Sequence, residues 1–143
     1  MRSSAIVSAA LALTLAVNGC IGQPATKTFH AELSGSHEVP PVDTRGSGNA
    51  DFSLDPESKR LTWTMSYQGL TSEAVAAHIH GPARPGYDAA VLIDLAPNGM
   101  SNPLQGSMVL TTEQIDYLLL RRCYINIDTR RNAAGEIRGQ IEP

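Results

Sequence analysis

Two histidines stand two residues apart, as His78-Ile79-His80, in an otherwise apolar segment. In a β-strand, side chains at positions i and i+2 point to the same face, so both imidazoles would face one point. Imidazole is a common protein ligand for copper and zinc. The spacing is therefore compatible with a copper or zinc site. A lone His-x-His is also typical of two polar residues on the wet face of a sheet, or of imidazoles bonded to neighbouring backbone.

A second segment places Asn126 and Asp128 on one face of a predicted strand. A carboxylate oxygen of Asp128 could join an ion held by the two histidines, which makes His78, His80 and Asp128 the candidate metal ligands. The competing interpretation is that Asp128 ends its strand and caps the following turn, Thr129–Arg131.

Glu136 and Arg138 also stand at positions i and i+2, on the last predicted strand. We interpret them as structural charges that pair across strands. The sequence has no Ser/His/Asp set in a recognisable context, no phosphate-binding glycine loop and no Cys–Cys metal pair. We therefore expect no enzymatic activity.

The elements that must position these side chains are short segments, mostly with a two-residue period. Strands are predicted at Thr28–Leu33, Asn49–Leu54, Arg60–Tyr67, Val75–His80, Ala89–Leu95, Leu104–Leu110, Cys123–Asp128 and Glu136–Ile141. Asp55-Pro56-Glu57-Ser58 is a turn that joins the second and third of these into a hairpin. Ala89–Leu95 is a more continuous apolar run, which predicts a strand buried on both faces or at a sheet centre.

One helix is predicted after Thr111, because Thr111 and Gln114 have the spacing of a capping box. Its apolar face holds Ile115, Leu118 and Leu119. About eight short strands separated by turns, with one short helix, predict an all-β fold, an antiparallel β-sandwich or Greek-key barrel.

The N-terminus has the pattern of an export signal. Met1-Arg2-Ser3-Ser4 carries one positive charge and precedes the apolar run Ala5–Val17. That run is shorter than the about 20 residues that span a bilayer and has the size of a signal-peptide core. Val17-Asn18-Gly19-Cys20 then resembles a bacterial lipobox, in which Asn18 departs from the usual small or aliphatic residue.

We therefore predict a lipoprotein signal peptide at 1–19, a lipidated Cys20 with a tether at 20–27, and one β domain at 28–143. Ordinary signal cleavage, which would leave Cys20 as a free thiol, is the alternative. Ile21 follows Cys20 where an Asp would favour the inner membrane, so we expect the outer membrane of the bacterial envelope, facing the periplasm or the surface.

The net charge and the cysteine content of the sequence limit the kinds of partner that we expect. The formal net charge is −3 and there is no basic patch, so we expect no nucleic-acid partner. The expected partners are the membrane, through the lipid, and an unidentified protein. If Cys20 carries lipid, Cys123 has no partner, and we expect it to be buried and inert.

Several segments together resemble the CHRD domain, a module named after chordin and found also in bacterial exported proteins. The resemblance covers about residues 28–141. The matching blocks are Glu38-Val39-Pro40-Pro41-Val42, Gly69-Leu70, Ala76-Ala77-His78-Ile79-His80-Gly81-Pro82-Ala83, Leu110-Thr111, Tyr124-Ile125-Asn126-Ile127-Asp128-Thr129 and Gly135-Glu136-Ile137-Arg138-Gly139-Gln140-Ile141. It implies an immunoglobulin-like β-sandwich. It implies structural roles for the block residues Glu38, Pro40, Gly81, Pro82, Asn126, Gly135, Glu136 and Arg138.

A second resemblance, in the order of blocks only, is to copper-zinc superoxide dismutases. CHRD domains commonly have His where this chain has Asp128, and in the dismutase order that His would be a copper ligand. A carboxylate is a harder ligand than imidazole and suits Cu(I) poorly. Dismutase-like or other redox activity is therefore not expected.

Together these features predict an exported, lipid-anchored envelope protein whose CHRD-type β-sandwich is a non-enzymatic binding or structural module. The alternative is a periplasm-facing copper or zinc protein that uses His78 and His80.

Overall fold

The computed structural model describes Gly22 and residues 24–143. The predicted signal peptide and Cys20 lie outside the described residues. The described strands are β1 (Lys27–Ser34), β2 (Ser47–Asp55), β3 (Arg60–Gln68), β4 (Ala74–His80), β5 (Val91–Asp94), β6 (Leu104–Val109), β7 (Tyr124–Thr129) and β8 (Ile137–Gln140). A 3-10 turn covers Gly35–His37, and helix α1 covers Thr112–Leu119. None of the helices in this part of the chain has the length and hydrophobicity that crossing a membrane requires.

The strands form one antiparallel sheet in the order β5-β4-β7-β8-β1-β2-β3-β6, curled into a half-barrel. The predicted all-β antiparallel fold is confirmed. Hydrogen bonds join the strands continuously into a single sheet, and β5 and β6 are its two edges. The crossovers from β3 to β4 and from β6 to β7 bring β4 beside β7, which sets His78 next to Asp128 and His80 next to Asn126.

The core fills the inside of the curl. The predicted alternation holds in β1, β2 and β3, whose inward residues are buried. A cross-strand row runs Phe29, Phe52, Trp63 and Gly106 through β1, β2, β3 and β6. Burying an aromatic or large aliphatic side chain contributes roughly 1.5–3 kcal/mol, so this row is a main source of stability.

The predicted hairpin is also confirmed, with Asp55 paired to Arg60 across the turn. The Asp55 carboxylate holds the turn because it accepts hydrogen bonds from the Glu57 backbone N–H at 2.9 Å and from the Ser58 hydroxyl at 2.8 Å. These bonds lower the pKa of Asp55.

The prediction for Ala89–Leu95 was wrong in its placement. The strand is only Val91–Asp94, and it lies at an edge with Val91 and Asp94 exposed. Ala89 and Ala90 belong to the preceding loop, where their carbonyl oxygens accept hydrogen bonds from His80 and from the Gly81 backbone. Small apolar residues in that loop mimic the pattern of a central strand.

Helix α1 begins as predicted. The Gln114 backbone N–H donates to the Thr111 hydroxyl at 3.2 Å, and the Gln114 side chain accepts from the Thr111 backbone at 2.9 Å. Leu118 is fully buried, whereas Leu119, which the sequence placed on the same apolar face, is exposed.

Strands β7 and β8 lie between β4 and β1 in the sheet, and they are buried on both faces. The loop after β1 and the loop Gly81–Ala90 cover their outer face through hydrogen bonds to His37, Tyr87, Asp88 and Ala89. The polar residues of β7 and β8 are thereby enclosed, and that face carries the candidate site.

Candidate functional site

The candidate site is a polar cluster on the outer face of β4, β7 and β8. We call the central polar cluster the set His78, His80, Tyr124, Asn126, Asp128, Arg138 and Glu38. In the β4–β7 register, His78 lies opposite Asn126 and His80 opposite Tyr124. As predicted, the two imidazoles lie on the face opposite Ala77 and Ile79, which are fully buried in the core.

His78 and Asp128 are brought together. His78 Nδ1 lies 3.3 Å from Asp128 Oδ2, and the ring centroids of His78 and His80 are 5.8 Å apart. Burial raises the pKa of the Asp128 carboxyl, while the nearby His78 and His80 oppose that rise. Asp128 also accepts a hydrogen bond from the Asn126 amide at 2.9 Å. The turn after β7 is capped instead by the Thr129 hydroxyl, which accepts from the Asn132 backbone.

His80 is engaged at both ring nitrogens. Nδ1 donates to the Ala89 carbonyl at 3.0 Å, and Nε2 lies 3.0 Å from Asn126 Oδ1. The Asn126 amide nitrogen donates to Asp128, which leaves the Asn126 oxygen facing His80 Nε2. The Tyr124 ring stacks on His80 with centroids 4.8 Å apart.

The predicted metal site is thus assembled only in part. Among the residues the structure describes, no group of three His, Cys, Asp or Glu side chains is arranged to hold a metal ion. His30 pairs with Asp51 at 2.9 Å, and His37 Nδ1 donates to the Arg138 carbonyl at 3.2 Å. A metal bound by His78 and His80 would require His80 to release the Asn126 oxygen.

Arg138 ties the outer face of β8 to the loop Gly81–Ala90. Its side chain is 3% exposed, and it donates to Asp88 Oδ1 at 2.9 Å and to the Tyr87 carbonyl at 2.6 Å. The guanidinium carbon lies 3.4 Å from the centre of the Tyr124 ring, a cation–π contact. A chain of stacked groups, Arg138, Tyr124 and His80, therefore runs across β8, β7 and β4.

Glu38 is a buried carboxyl brought to the cluster from the loop after β1. It is 7% exposed, and its Oε1 has no hydrogen-bond partner among the described residues. Burial raises its pKa to about 7; Arg138 opposes the rise, and Asp128 and Asp88 add to it. The carboxyl packs on the backbone of Gly135, where a Cβ would collide with Glu38 Oε1. Gly135 has φ of +123°, so glycine is required there for conformation as well as space.

A cleft of about 440 Å³ opens beside this carboxyl. Glu38, Arg138 and Gln140 line it on the polar side, and Val39, Pro41 and Pro85 line it on the apolar side. We call it the Glu38 cleft. Its volume is within the roughly 300–1,000 Å³ of small-molecule and peptide-anchor sites.

Glu136 forms a separate buried hub at the start of β8. Its Oε1 accepts from the Thr44 hydroxyl and the Thr71 backbone N–H, both at 2.7 Å. Its Oε2 accepts from three donors, the Thr71 hydroxyl, the Thr129 hydroxyl and the Asn132 amide. Burial alone would raise the pKa of Glu136, but these donors outweigh it and lower the pKa to about 2. Sequence reasoning assigned Glu136 a cross-strand ion pair and missed the three threonines that surround it.

The remaining residues of the blocks that resemble CHRD domains, Gly81, Pro82 and Pro40, lie where segments of the chain pass close to one another. A Cβ on Gly81 would lie 2.8 Å from the Arg122 carbonyl oxygen and 3.3 Å from Cys123 Sγ. Pro82 follows Gly81 through a cis peptide bond, as Pro40 follows Val39. Cys123 is buried, as predicted, and burial raises the pKa of its thiol to about 12, so it stays protonated.

The sequence of this chain matches a known protein family. The family model of the CHRD domain matches residues 29–141. The chain belongs to the CHRD family. It is 32% identical over 121 residues to chordin of Xenopus laevis and 30% identical over 116 residues to chordin of Danio rerio. Each alignment covers 76% of this chain and 12% of the chordin, so the chain corresponds to about an eighth of those proteins. No solved structure matches the chain.

The sequence blocks that are similar to CHRD domains lie close together in the folded structure. Glu38, the two histidines, Asn126, Gly135 and Arg138 come from four separate blocks and form one cluster. The CHRD blocks therefore mark the polar outer face of β4, β7 and β8 and the cleft beside it. Tyr124 and Asp88 complete that face. The two-residue period of β7 places Tyr124 on the same face as Asn126 and Asp128, whereas only the course of the loop Gly81–Ala90 could have identified Asp88.

Proposed function

We propose that this chain is an exported protein, anchored to the bacterial envelope by lipid on Cys20, whose CHRD domain is a non-enzymatic binding module that uses the Glu38 cleft. The observation that carries the proposal is the buried Glu38 carboxyl, with an unpartnered oxygen, beside buried Arg138 in the wall of a cleft. A buried ionisable pair contributes little to stability compared with apolar residues of similar volume. We infer that the pair is retained to recognise a ligand.

The chemistry of the cleft indicates its ligand. Val39, Pro41 and Pro85 offer apolar contact, and Glu38 offers an acceptor to a hydrogen-bond donor such as an amine, amide or hydroxyl. We therefore expect a ligand with an apolar body and a donor group, presented by an envelope protein.

His80 and Glu136 are each occupied by protein partners. Both nitrogens of His80 and both oxygens of Glu136 already bond to other protein groups, so we do not assign a catalytic role to either residue. A general base or nucleophile needs a free atom directed at its substrate. The anchor is supported by the lipobox pattern ending at Cys20 and by the short polar segment between Cys20 and β1.

Photocrosslinking in living cells tests the binding proposal. The full-length chain carries a photoreactive amino acid at Val39, on the cleft wall, or at Thr62, an exposed control position on the outer face of β3. We expect one discrete adduct from position 39, none from position 62, and loss of the adduct when Pro85→Arg fills the cleft. Adducts at both positions, or persistence in the filled-cleft variant, would overturn the proposal.

A second candidate is a copper or zinc site, favoured by the 3.3 Å approach of His78 Nδ1 to Asp128 Oδ2. Titration of the chain with Cu(I), Cu(II) and Zn(II), beside the double variant His78→Ala/His80→Ala, tests it. Binding of one ion, lost in the variant and weakened as the pH falls from 8 to 5, would establish the metal function, because only neutral imidazole ligates. Without binding tighter than about micromolar, this candidate fails.

A further inference from the structure

The β6 edge of the sheet differs from a protected edge. Within residues 24–143, β6 hydrogen-bonds to β3 on one side and to no strand on the other. Exposed edge strands normally carry charged residues, proline or bulges that prevent pairing with other chains. The β6 segment, Leu-Gln-Gly-Ser-Met-Val from residue 104 to 109, contains none of these.

A cavity of about 490 Å³ lies along this free edge, bounded by residues 104–108, by the end of β5 and the loop after it (residues 94–101), and by Trp63. We call it the β6 groove. Residues from both faces of β6 line it, inward Leu104 and outward Gln105 among them. A cavity that meets both faces of a strand lies at its edge. Five residues of strand offer roughly 13–16 Å of backbone for pairing.

The core is open toward this groove. Met108 pairs with Leu61, which is fully buried, and so occupies an inward position of β6. Its side chain is nevertheless 43% exposed. Val109 beside it is also exposed, so the edge presents apolar surface together with backbone groups.

Trp63 supplies an unsatisfied donor in the same groove. The indole of Trp63 packs directly against Gly106. A Cβ added at Gly106 would lie 2.6 Å from Trp63 Cε2 and 3.0 Å from Trp63 Nε1. The side chain is buried, and Nε1 has no acceptor among the described residues. A buried indole N–H normally has a hydrogen-bond partner, so this donor indicates an acceptor that an occupant would bring.

We propose that the β6 groove binds an extended segment of a partner polypeptide, which adds as a strand to β6. Backbone pairing with β6 satisfies the free edge, an apolar side chain covers Met108, and an oxygen acceptor reaches Trp63 Nε1. The segment has alternating apolar and uncharged polar residues, matching the uncharged β6. This inference does not rest on the Glu38 cleft, which is lined by other residues.

Trp63 is the single tryptophan of the chain, so its fluorescence reports on the groove. The full-length chain is titrated with a short capped peptide of alternating valine and threonine, and with the same peptide carrying proline at alternate positions. We expect the first peptide to change Trp63 emission and to slow amide hydrogen exchange in residues 104–109. The proline peptide has no effect, because it cannot donate ladder hydrogen bonds.

Two variants localise the site. Met108→Lys and Gln105→Lys each place a charge in the groove and weaken peptide binding by about tenfold or more. Val75→Lys changes an equally exposed apolar residue outside the groove and leaves binding unchanged. Thermal unfolding confirms that each variant is folded, and two groove variants keep the test valid if one is not.

Three outcomes would overturn the inference. The first is no change of emission up to millimolar peptide. The second is equal binding of the proline peptide or of the groove variants. The third is self-association of the chain through residues 104–109, abolished by Met108→Lys, which would assign the groove to a second copy.

Discussion

Glu136 joins three loops and strand β7 through one carboxylate. Its five hydrogen bonds reach Thr44, Thr71, Thr129 and Asn132, and none of its surface is exposed. Its pKa falls from 4.5 to about 2 on folding. A depressed folded-state pKa means that the carboxylate stabilises the fold above about pH 4.5, and that this stability is lost as the pH falls toward 2.

Replacing Glu136→Gln should therefore lower the free energy of unfolding at pH 7 by about 3 kcal/mol, since the amide nitrogen faces donors and leaves them unsatisfied. Urea unfolding at pH 7 and pH 3 measures this. The variant should also lose less stability than the parent between those values. Glu142→Gln, at an exposed position, is the control and should change little. If Glu136→Gln and Glu142→Gln were equally stable, the hydrogen bonds to the Glu136 carboxylate would not stabilise the fold as we expect.

Folding shifts the pKa of Glu38 in the opposite direction to that of Glu136. Burial raises its pKa from 4.5 to about 7, so the protonated form stabilises the fold. This stability is fully present below about pH 4.5 and is lost as the pH rises through about 7.

We expect Glu38→Gln to remove this dependence. Between pH 5 and pH 8 the parent should lose about 3 kcal/mol more than the variant, because only the parent must bury a charge at the higher pH. Denaturant unfolding across that range measures the difference, with Glu32→Gln, an exposed carboxyl on β1, as the control. Parallel profiles for the parent and Glu38→Gln would show that Glu38 stays ionised throughout.

At the scale of elements, α1 shows how local sequence can determine a structural boundary. The Thr111 hydroxyl accepts from the Gln114 backbone, and the reciprocal bond from the Thr111 backbone closes the box. Both partners lie within four residues, so the pattern was readable without the fold.

Thr111→Ala should lower stability by about 1 kcal/mol, because it leaves a helix-terminal N–H without its acceptor. Thr112→Ala, at the first helical position, is the matched control and should cost less, since its hydroxyl bonds only the exposed Lys59 side chain. Thermal unfolding distinguishes them. If Thr111→Ala and Thr112→Ala lost the same stability, the capping hydroxyl of Thr111 would contribute nothing beyond the contacts of its methyl group.

At the scale of the whole molecule, the half-barrel separates two surfaces. The Glu38 cleft lies beside the β8 outer face, and the β6 groove lies at a sheet edge. β1, the first strand after the predicted tether, lies between β8 and β2 in the sheet and is an edge of neither surface.

The proposed lipid anchor predicts that Cys20→Ser releases the chain from the membrane, because acyl chains on Cys20 would supply the anchoring. Metabolic labelling with palmitate and fractionation of the envelope measure this. Cys123→Ser, at the buried thiol, controls for loss of a cysteine and should remain labelled and membrane-bound. Membrane association of Cys20→Ser, or labelling at Cys123, would contradict the anchor.

Much of the fold was predictable, and the errors have physical causes. The hairpin of β2 and β3 and the inward rows of β1 to β3 follow from alternation, since neighbouring side chains alternate faces whatever the tertiary context. The edge position of β5 was missed because hydrophobicity alone does not distinguish an edge strand packed on one face from a central strand. The sequence grouped Asp128 with the two histidines as candidate metal ligands, but the direct contact of His78 with Asp128 and the double engagement of His80 required the register of β4 against β7 and the loop that carries Ala89.

The sequence by itself determined the period of the strands, the helix cap, the likeness to CHRD domains and the pattern of the N-terminus, all of which depend on residues near one another along the chain. The tertiary structure alone decided the buried state of Glu38, the donors around Glu136 and the open edge of β6. The Thr44–Glu136 bond spans 92 residues and the His37–Arg138 bond spans 101. Such partners are chosen by strand order and loop course, and those depend on how the whole sheet buries its core.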